Sequence, residues 1–168
     1  RSSSLPVLME NEILIEIFFD GACEPTNSKT KRTGVGVAVY INKEYSENWS
    51  VAVPGDNGTN NIAEWCGCLK AIEVWSELRP LVQELYPKVK RRVRIYSDSK
   101  LIVNQFNGSF VITHTKFLPY FKKARELAEL INFKYLIWVP REKNKQADNL
   151  SKIAMGRDPK NKPVLILK

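Results

Sequence analysis

Two aspartates follow directly on apolar, strand-like runs. The run 13–19 is ILIEIFF, apolar at every position except one, and Asp20 comes next, just before a glycine. A run that is apolar on both faces is typical of a strand at the centre of a sheet. Asp98 follows the shorter run 93–97 in the same way. Each has a structural alternative, because Asp-Gly is a common turn and an aspartate often caps the helix that follows it.

Two further acids lie in the first turns of amphipathic segments. Glu64 belongs to the predicted helix 60–78, and Asp148 to the predicted helix 144–155. An acid at this place also has an ordinary role, since it interacts favourably with the helix dipole. In parallel α/β layouts, however, strand C-termini and helix N-termini meet at one edge of the sheet, where ligands bind. We therefore expect all four carboxylates to converge.

Converging carboxylates have a definite chemistry. Within a few ångströms of one another they repel, and each raises the pKa of the next unless cations neutralise them. An all-oxygen ligand set suits Mg²⁺ or Mn²⁺ better than zinc or copper. Two such ions about 4 Å apart can activate water and stabilise the leaving oxygen of a phosphodiester. The four acids therefore predict a metal-dependent phosphoryl-transfer site.

The charge balance favours a polyanionic partner. The 168 residues carry 26 basic and 18 acidic side chains, for a net charge of +8, although many basic proteins have no such partner. The length predicts one domain with a single core. No apolar run is long enough to span a membrane, and the first residues show no signal-peptide pattern.

The cysteines favour a reducing, intracellular location. The chain has an odd number of cysteines, Cys23, Cys66 and Cys68, which does not suggest a set of disulfides. No Cys/His set has the spacing of a zinc site. We expect a cytoplasmic monomer, with the nucleus or an organelle as alternative locations.

Hydrophobic periodicity predicts an α/β fold with the order βββαβααβα. Three antiparallel strands are followed by two parallel ones, and helices cover both faces of the sheet. Residues 1–10 are interpreted as an extension, 11–156 as the domain and 157–168 as a tail, in which 163–167 form an extra strand or a docking segment. The predicted strands are 13–20, 34–42, 45–53, 93–97 and 135–139, and the predicted helices are 60–78, 98–106, 117–131 and 144–155, with a separate short helix at 81–86.

Four motifs, in this order, resemble ribonuclease H of type 1: FFDGAC before a GVGV strand, GTNNIAEW, YSDSKLIVNQ and WVPREKNKQADNLS. The similarity runs from about residue 13 to residue 155. Related exonucleases would have a glutamate at the position of Ala22, and integrase-like enzymes place their essential glutamate late in the chain, whereas Glu64 is the second of the four acids.

The resemblance implies a ribonuclease-H-like fold and an endoribonuclease that hydrolyses the RNA strand of RNA/DNA hybrids, leaving 3′-hydroxyl and 5′-phosphate ends. It implies two Mg²⁺ ions, with Mn²⁺ as a substitute, bound by Asp20, Glu64, Asp98 and Asp148. Glu64 would also lie near a ribose 2′-hydroxyl, the group that separates RNA from DNA. For Asn60 and Asn61, helix capping is the alternative to substrate contact. The implied substrate-binding residues are Gly21, Thr59, Asn60, Asn61, Ser99 and Lys100.

The chain also departs from the family pattern. Many members have a histidine in the loop before the last aspartate, but PREKNKQAD has none, which leaves Arg141 and Glu142 as partial substitutes. The basic handle of some members is missing, because 108–116 is short and carries little charge. The stretch 79–92 is longer than usual and ends in KVKRRVR, which either follows phosphates or is a solvated loop and strand start.

The remaining aromatic and imidazole side chains carry no functional assignment. His114, the only histidine, is interpreted as a surface or helix-start residue. The tryptophans are interpreted as core residues rather than base-stacking platforms; they are Trp49, Trp65, Trp75 and Trp138.

Three other interpretations of the function remain open. The chain could be the ribonuclease H domain of a larger reverse transcriptase or retroelement protein. It could be a catalytically inactive module that binds hybrids or proteins, although the presence of all four acids argues against this. It could also be an α/β domain in which the acids coincide by chance.

Overall fold

The computed structural model describes residues 12–24, 32–53, 59–113 and 115–156. The predicted extension 1–10, the predicted tail 157–168 and His114 lie outside these residues. Among the helices that the structure describes, none is both long and apolar enough to cross a membrane. In chain order the elements are β1 (Glu12–Cys23), β2 (Thr33–Ile41), β3 (Glu44–Val53), α1 (Asn60–Leu85), β4 (Lys90–Ser97), α2 (Lys100–Asn107), α3 (Leu118–Leu130), β5 (Ile137–Trp138) and α4 (Lys145–Ala154), with a 3₁₀ helix at Arg141–Lys143.

The sheet has the order β3-β2-β1-β4-β5, so β1 is its central strand. The β1–β2 and β2–β3 pairs are antiparallel, whereas β1–β4 and β4–β5 are parallel. Asp20 lies opposite Gly36 of β2, and Ile17 lies opposite Ile95 of β4. The predicted mixed sheet and the central position of the first strand are confirmed.

Helices cover the two faces of the sheet as predicted. On one face, α1 packs against β1, and the buried isoleucines of β1 form the centre of the core with Phe19 and Trp65. On the other face, α4 lies across β2, β1 and β3. A Cβ at Gly36 would overlap the carbonyl oxygen of Ala147, so a glycine in β2 allows α4 to lie this close to the sheet.

Helix α1 continues through Pro80 to Leu85, so the prediction of a separate short helix is wrong. Proline removes one intrahelical hydrogen bond and usually bends a helix, but it does not always end one. Here Val82, one turn from the end, is buried in the core, and this packing stabilises the last turns.

Four other elements differ from the predictions. Strand β1 continues past Asp20 to Cys23, because it stays paired with β2 as far as Thr33. Strand β4 begins at Lys90, earlier than predicted, because its first residues pair with β1. Strand β5 has two residues rather than five, and it pairs only with Tyr96 and Ser97. Helix α2 begins after Ser99, whose hydroxyl accepts the Ile102 N–H, so Asp98 does not cap it. The helix ends at Gly108, at a φ of +88°, as the glycine predicts.

Candidate active site

Three of the four predicted acids meet where β1 and β4 end. Asp20 lies near the end of β1, Asp98 follows β4, and Glu64 lies one turn into α1. Each offers a carboxylate oxygen, and the three oxygens lie within 4.8 Å of one another. We call these three residues the acid cluster. The topology of parallel strands brings them together, as the sequence predicted.

Gly21 positions two of these carboxylates. Its backbone N–H donates to Asp20 Oδ1 at 2.9 Å and to Glu64 Oε1 at 3.2 Å. A Cβ at this position would overlap the carbonyl oxygen of Ala63. Only glycine therefore lets the end of β1 approach the first turn of α1 closely enough for one N–H to serve both acids.

Asn144 positions the third carboxylate, and the sequence analysis assigned it no role at the site. Its Nδ2 donates to Asp98 Oδ2 at 3.1 Å and to the carbonyl oxygen of Phe19 at 2.8 Å. The residue is only 1 % exposed. An asparagine four residues before Asp148 would ordinarily be taken for a helix cap, but this side chain makes no capping hydrogen bond. It links the end of β1 to Asp98 instead.

Trp138 is the tryptophan whose predicted core position is wrong. The other three are buried, whereas Trp138 is 40 % exposed at the end of β5. Its indole N–H donates to the carbonyl oxygen of Asp98 at 3.1 Å. The ammonium group of Lys100 lies 4.7 Å from the centre of its ring, a distance typical of a cation–π contact. Because β5 is short and lies at the edge of the described sheet, none of the described residues covers this side chain fully.

Asp148 lies beside the acid cluster but outside the group of three. It is close enough to Asp20 to form a side-chain hydrogen bond with it. Its Oδ2 lies 3.0 Å from the Nζ of Lys152, one turn further along α4. The structure therefore places all four acids at one edge of the sheet, with Asp148 partly neutralised by a lysine.

Among the described residues, too few positive charges lie near the acid cluster to neutralise it. Burial raises the pKa of Asp20 well above its usual range, and the charges of Glu64, Asp98 and Asp148 raise it further. Burial, and then the charge of Asp98, raise the pKa of Glu64 to about 8, although the charge of Arg141 acts in the opposite direction. Buried oxygen ligands that repel one another are what a divalent cation of the Mg²⁺ or Mn²⁺ type requires, so these residues fit such an ion.

The predicted substrate-binding residues of α1 surround its start. Thr59 caps the helix, and its hydroxyl accepts the Ile62 N–H at 3.1 Å. Asn60 is exposed, and its Oδ1 accepts a hydrogen bond from the Cys23 thiol at 3.3 Å. Asn61 is half-buried in the first turn. All three lie one turn before Glu64, and their contact with a substrate stays a prediction.

The other predicted contacts follow the ends of β4 and β5. Ser99 caps α2, and Lys100 begins that helix beside Trp138. Arg141 and Glu142 lie in the 3₁₀ helix before α4, and both are exposed. Of the two, Arg141 reaches the acid cluster electrostatically, through its effect on the pKa of Glu64.

Known proteins show the same fold. The reverse transcriptase-like family matches residues 18–154 of this chain. The chain therefore belongs to that family, within the ribonuclease-H-like superfamily. Among curated proteins, the bifunctional protein Rv2228c of Mycobacterium tuberculosis is 30% identical over 97 residues, which are 58% of this chain and 24% of that protein. The chain thus matches only about a quarter of the length of this curated relative.

Solved structures extend the similarity over most of the chain. The N-terminal ribonuclease H domain of the same mycobacterial protein has a TM-score of 0.69 and 25% identity, covering 86% of this chain and 94% of that one. LC11-RNase H1, solved in complex with an RNA/DNA hybrid, has a TM-score of 0.70 and 26% identity, covering 84% and 96%. The prototype foamy virus protease–reverse transcriptase shares the fold, at a TM-score of 0.62 and 17% identity, over 92% of this chain and 22% of that one.

Proposed function

We propose that this chain is an endoribonuclease that hydrolyses the RNA strand of RNA/DNA hybrids by two-metal-ion catalysis and leaves 3′-hydroxyl and 5′-phosphate ends. The observation that carries the proposal is the acid cluster, in which three carboxylate oxygens lie within 4.8 Å of one another. Its place at the ends of β1 and β4 is where this fold gathers ligands. The structural similarity to a ribonuclease H1 solved with an RNA/DNA hybrid supports the substrate class.

Asp20, Glu64, Asp98 and Asp148 would hold two Mg²⁺ ions, for which Mn²⁺ could substitute. Bound there, divalent ions supply the activation of water and the charge stabilisation of the leaving 3′ oxygen. The rest of the work belongs to the protein itself. Gly21 holds two of the acids through one N–H, and Asn144 holds Asp98 in a fixed orientation.

The start of α1 offers hydrogen-bond donors to the hybrid. The Thr59 hydroxyl uses a lone pair to cap the helix, and its O–H stays able to donate to a DNA-strand phosphate. Asn60 accepts through Oδ1, which leaves its Nδ2 group for the sugars and minor-groove edges of the hybrid. Gly21, Asn61, Ser99 and Lys100 complete the proposed contacts. Because Glu64 lies one turn further along α1, this surface could distinguish RNA from DNA by contact with the ribose 2′-hydroxyl.

The loop before α4 would contribute through Arg141. Its positive charge lowers the pKa of Glu64 and so favours the ionised carboxylate. The neighbouring Glu142 is exposed and could exchange protons with solvent. We assign the partial replacement of the missing loop histidine to these two residues.

The decisive experiment is cleavage of an end-labelled RNA/DNA hybrid with and without Mg²⁺, beside double-stranded RNA and double-stranded DNA. We expect the RNA strand of the hybrid alone to be cut, and only with the metal. The products should be joined by a ligase that requires a 3′-hydroxyl and a 5′-phosphate end. An absence of cutting with hybrid binding retained would show instead an inactive hybrid-binding module.

A second candidate is the ribonuclease H domain of a larger reverse transcriptase or retroelement protein. One match favours it, since the fold covers 92% of this chain but 22% of the foamy virus protease–reverse transcriptase. The curated mycobacterial relative, about four times longer than the match, supports only a place within a longer protein. Sequencing the complete gene and assaying its product for DNA synthesis would test it. The cytoplasmic location and the monomeric state stay predictions, which fractionation and sedimentation can check.

A further inference from the structure

A basic groove lies on the side of α1 and β4 away from the acid cluster. Two adjoining cavities, of about 490 Å³ and about 300 Å³, separate the second half of α1 from β4 and from the turn after α3. Arg79, Arg91 and Ile131 line both of them. The cations that line the cavities are Arg79, Arg91, Arg92, Arg94 and Lys134, and we call them the arginine groove.

Among the described residues, carboxylates compensate only part of the positive charge of this groove. None of the described residues that line the two cavities carries a carboxylate. Within the described parts of the chain, Arg92 is the groove cation that lies within 4 Å of a carboxylate, at 3.7 Å from Glu12 Oε1. Arg94 forms a hydrogen bond with the Tyr96 hydroxyl, and the charge of Glu16 also acts on it. Arg79 and Arg91, both half-buried, face the same recess, where like charges repel unless an anion lies between them.

The groove exists because β4 is longer than its neighbour. Strand β5 pairs only with Tyr96 and Ser97, so among the described strands none lies beside the first part of β4 on the side away from β1. Successive side chains of a strand point to opposite faces, so Arg91 lies on one face of β4 and Arg92 on the other. The Nη1 of Arg91 donates to Gln83 Oε1 of α1, and this contact holds the guanidinium at the recess.

The shape and chemistry of the groove favour an unpaired nucleic acid strand. Guanidinium groups form paired hydrogen bonds with phosphate oxygens. Because Arg79 and Arg91 are recessed, a single strand can bring its phosphates to them more easily than the convex surface of a duplex can. Tyr135, which also lines the groove, is 60 % exposed and offers a ring on which an unpaired base can stack.

The distance to the acid cluster allows one nucleic acid to occupy both places. Arg91 precedes Asp98 by seven residues along β4, which is about 23 Å at roughly 3.3 Å per residue. At about 3.4 Å per nucleotide, a strand needs on the order of seven nucleotides to cover this distance.

We propose that the arginine groove binds the phosphates of a single strand that extends from the hybrid held at the acid cluster. The inference rests on the proposed function, since it takes its nucleic acid from the substrate of that site. It adds a preference for hybrids with single-stranded extensions over blunt ones. It also gives the basic run of β4 a role outside catalysis.

The test compares binding of a blunt hybrid of about 12 base pairs with the same hybrid bearing a single-stranded extension of about 12 nucleotides, on each strand end in turn. The Asp20→Asn background prevents cleavage during the measurement. The quantity of interest is the affinity gain from the best extension, measured at about 50 mM and about 200 mM salt. The variants are Arg79→Gln with Arg91→Gln, and the charge-retaining pair Arg79→Lys with Arg91→Lys. The matched control is Lys122→Gln with Lys123→Gln, two exposed lysines of α3.

We expect the glutamine pair to lose most of the gain and the lysine pair to keep most of it. Losing two phosphate contacts to a single strand reduces the slope of log affinity against log salt by about 1.4. Between about 50 mM and about 200 mM salt, the affinity gain from the extension should therefore fall about sevenfold less in the glutamine pair than with the native arginines. The control pair should leave the ratio of extended to blunt affinity unchanged. Melting curves of each variant show whether it is folded.

Three results would overturn the inference: an undiminished gain in the glutamine pair, a gain from lengthening the duplex but none from the extension, or displacement of the extension by polyglutamate as readily as by oligothymidylate. The last would assign the groove to acidic peptides. Cleavage of the blunt hybrid by the chain with native Asp20 tests the proposed function separately, so failure of one is distinguishable from failure of the other.

Discussion

The two ends of β4 carry clusters of like charge that are built in opposite ways. At its C-terminal end, the acid cluster consists of short side chains whose positions follow from the backbone, with Gly21 and Asn144 donating hydrogen bonds to them. Toward its N-terminal end, the arginine groove consists of long side chains, and the described contact that orients Arg91 is a single hydrogen bond to Gln83.

This difference in construction implies a difference in tolerance. The repulsion within the acid cluster is strong because burial removes the screening by water, as the raised pKa values of Asp20 and Glu64 show. The arginines of the groove can move their charges apart into solvent, where repulsion is weak. We therefore expect the acid cluster to respond sharply to small changes and the groove to respond mainly to salt and to ligand.

The largest effect should follow removal of one charge from the acid cluster. Asp20→Asn or Asp98→Asn keeps the shape of the side chain but removes a ligand oxygen with its charge, and cleavage should fall by at least about 10²- to 10³-fold. Gel assays of cleavage and filter assays of hybrid binding measure the two properties separately. Binding should be largely retained, and its parallel loss in a well-folded variant would argue against the metal role.

The next largest effect should come from filling the space at Gly21. In Gly21→Ala the added Cβ overlaps the Ala63 carbonyl, so α1 must shift from β1, with a loss of about 1–3 kcal/mol in the free energy of unfolding and a loss of cleavage. Urea unfolding measures the first. Gly108→Ala is the control, because its Cβ meets nothing within 4 Å and only its positive φ is strained. It should lose about 1 kcal/mol and keep its activity. Equal loss of activity in both would show that stability alone matters.

Asn144→Ala tests whether positioning of Asp98 matters beyond stability. It removes one buried and one partly buried hydrogen bond, which should reduce the free energy of unfolding by about 1–3 kcal/mol and reduce cleavage at saturating hybrid. The control is Asn107→Ala, which also removes two hydrogen bonds, both to the backbone of Leu136. It should be similarly destabilised while its kcat stays unchanged. A normal kcat for Asn144→Ala would limit Asn144 to a structural role.

The stability of the metal-free protein should depend on pH in an unusual direction. The pKa of Glu64 is raised from 4.5 to about 8 in the folded protein, so between these values the folded state holds a proton that the unfolded state has lost. The free energy of unfolding should therefore fall as pH rises through this range and level off above about 8.

Melting curves in a chelator from pH 5 to 9 measure this dependence. Mg²⁺ should raise the melting temperature more at pH 8 than at pH 6, because at higher pH it neutralises charges that the fold otherwise has to accommodate. Asp98→Asn should flatten the dependence, since the charge of Asp98 is one of its causes. A curve that rises steadily with pH would contradict the buried cluster.

The smallest effect should appear in the arginine groove. Arg79→Gln should change the free energy of unfolding by less than about 0.5 kcal/mol at high salt, as is usual for surface substitutions. At low salt it should stabilise the protein slightly, since it relieves repulsion with Arg91. Urea unfolding at two ionic strengths measures this. A loss of stability at low salt would show that Arg79 is paired rather than repelled.

The sequence by itself determined the features that depend on local pattern or on topology. The apolar run before Asp20 placed β1 at the centre of the sheet, because only a central strand buries both faces. The order of strands and helices brought Glu64 and Asp98 to the edge where Asp20 lies. Thr59 caps the start of α1 and Gly108 the end of α2, as their chemistry predicts.

The tertiary structure alone decided the features that depend on distant contacts. Asn144 looks like a helix cap in the sequence, yet it bonds to Phe19, 125 positions away. The sequence suggested a helix end at Pro80, but core packing of Val82 carries α1 past it. Strand β4 extends back to Lys90 because its first residues pair with β1, and the shortness of β5 leaves the arginines of β4 without a described strand beside them on the other side. Periodicity reports which faces of a segment are apolar, whereas the partner that each polar group finds is decided by which segments pack together.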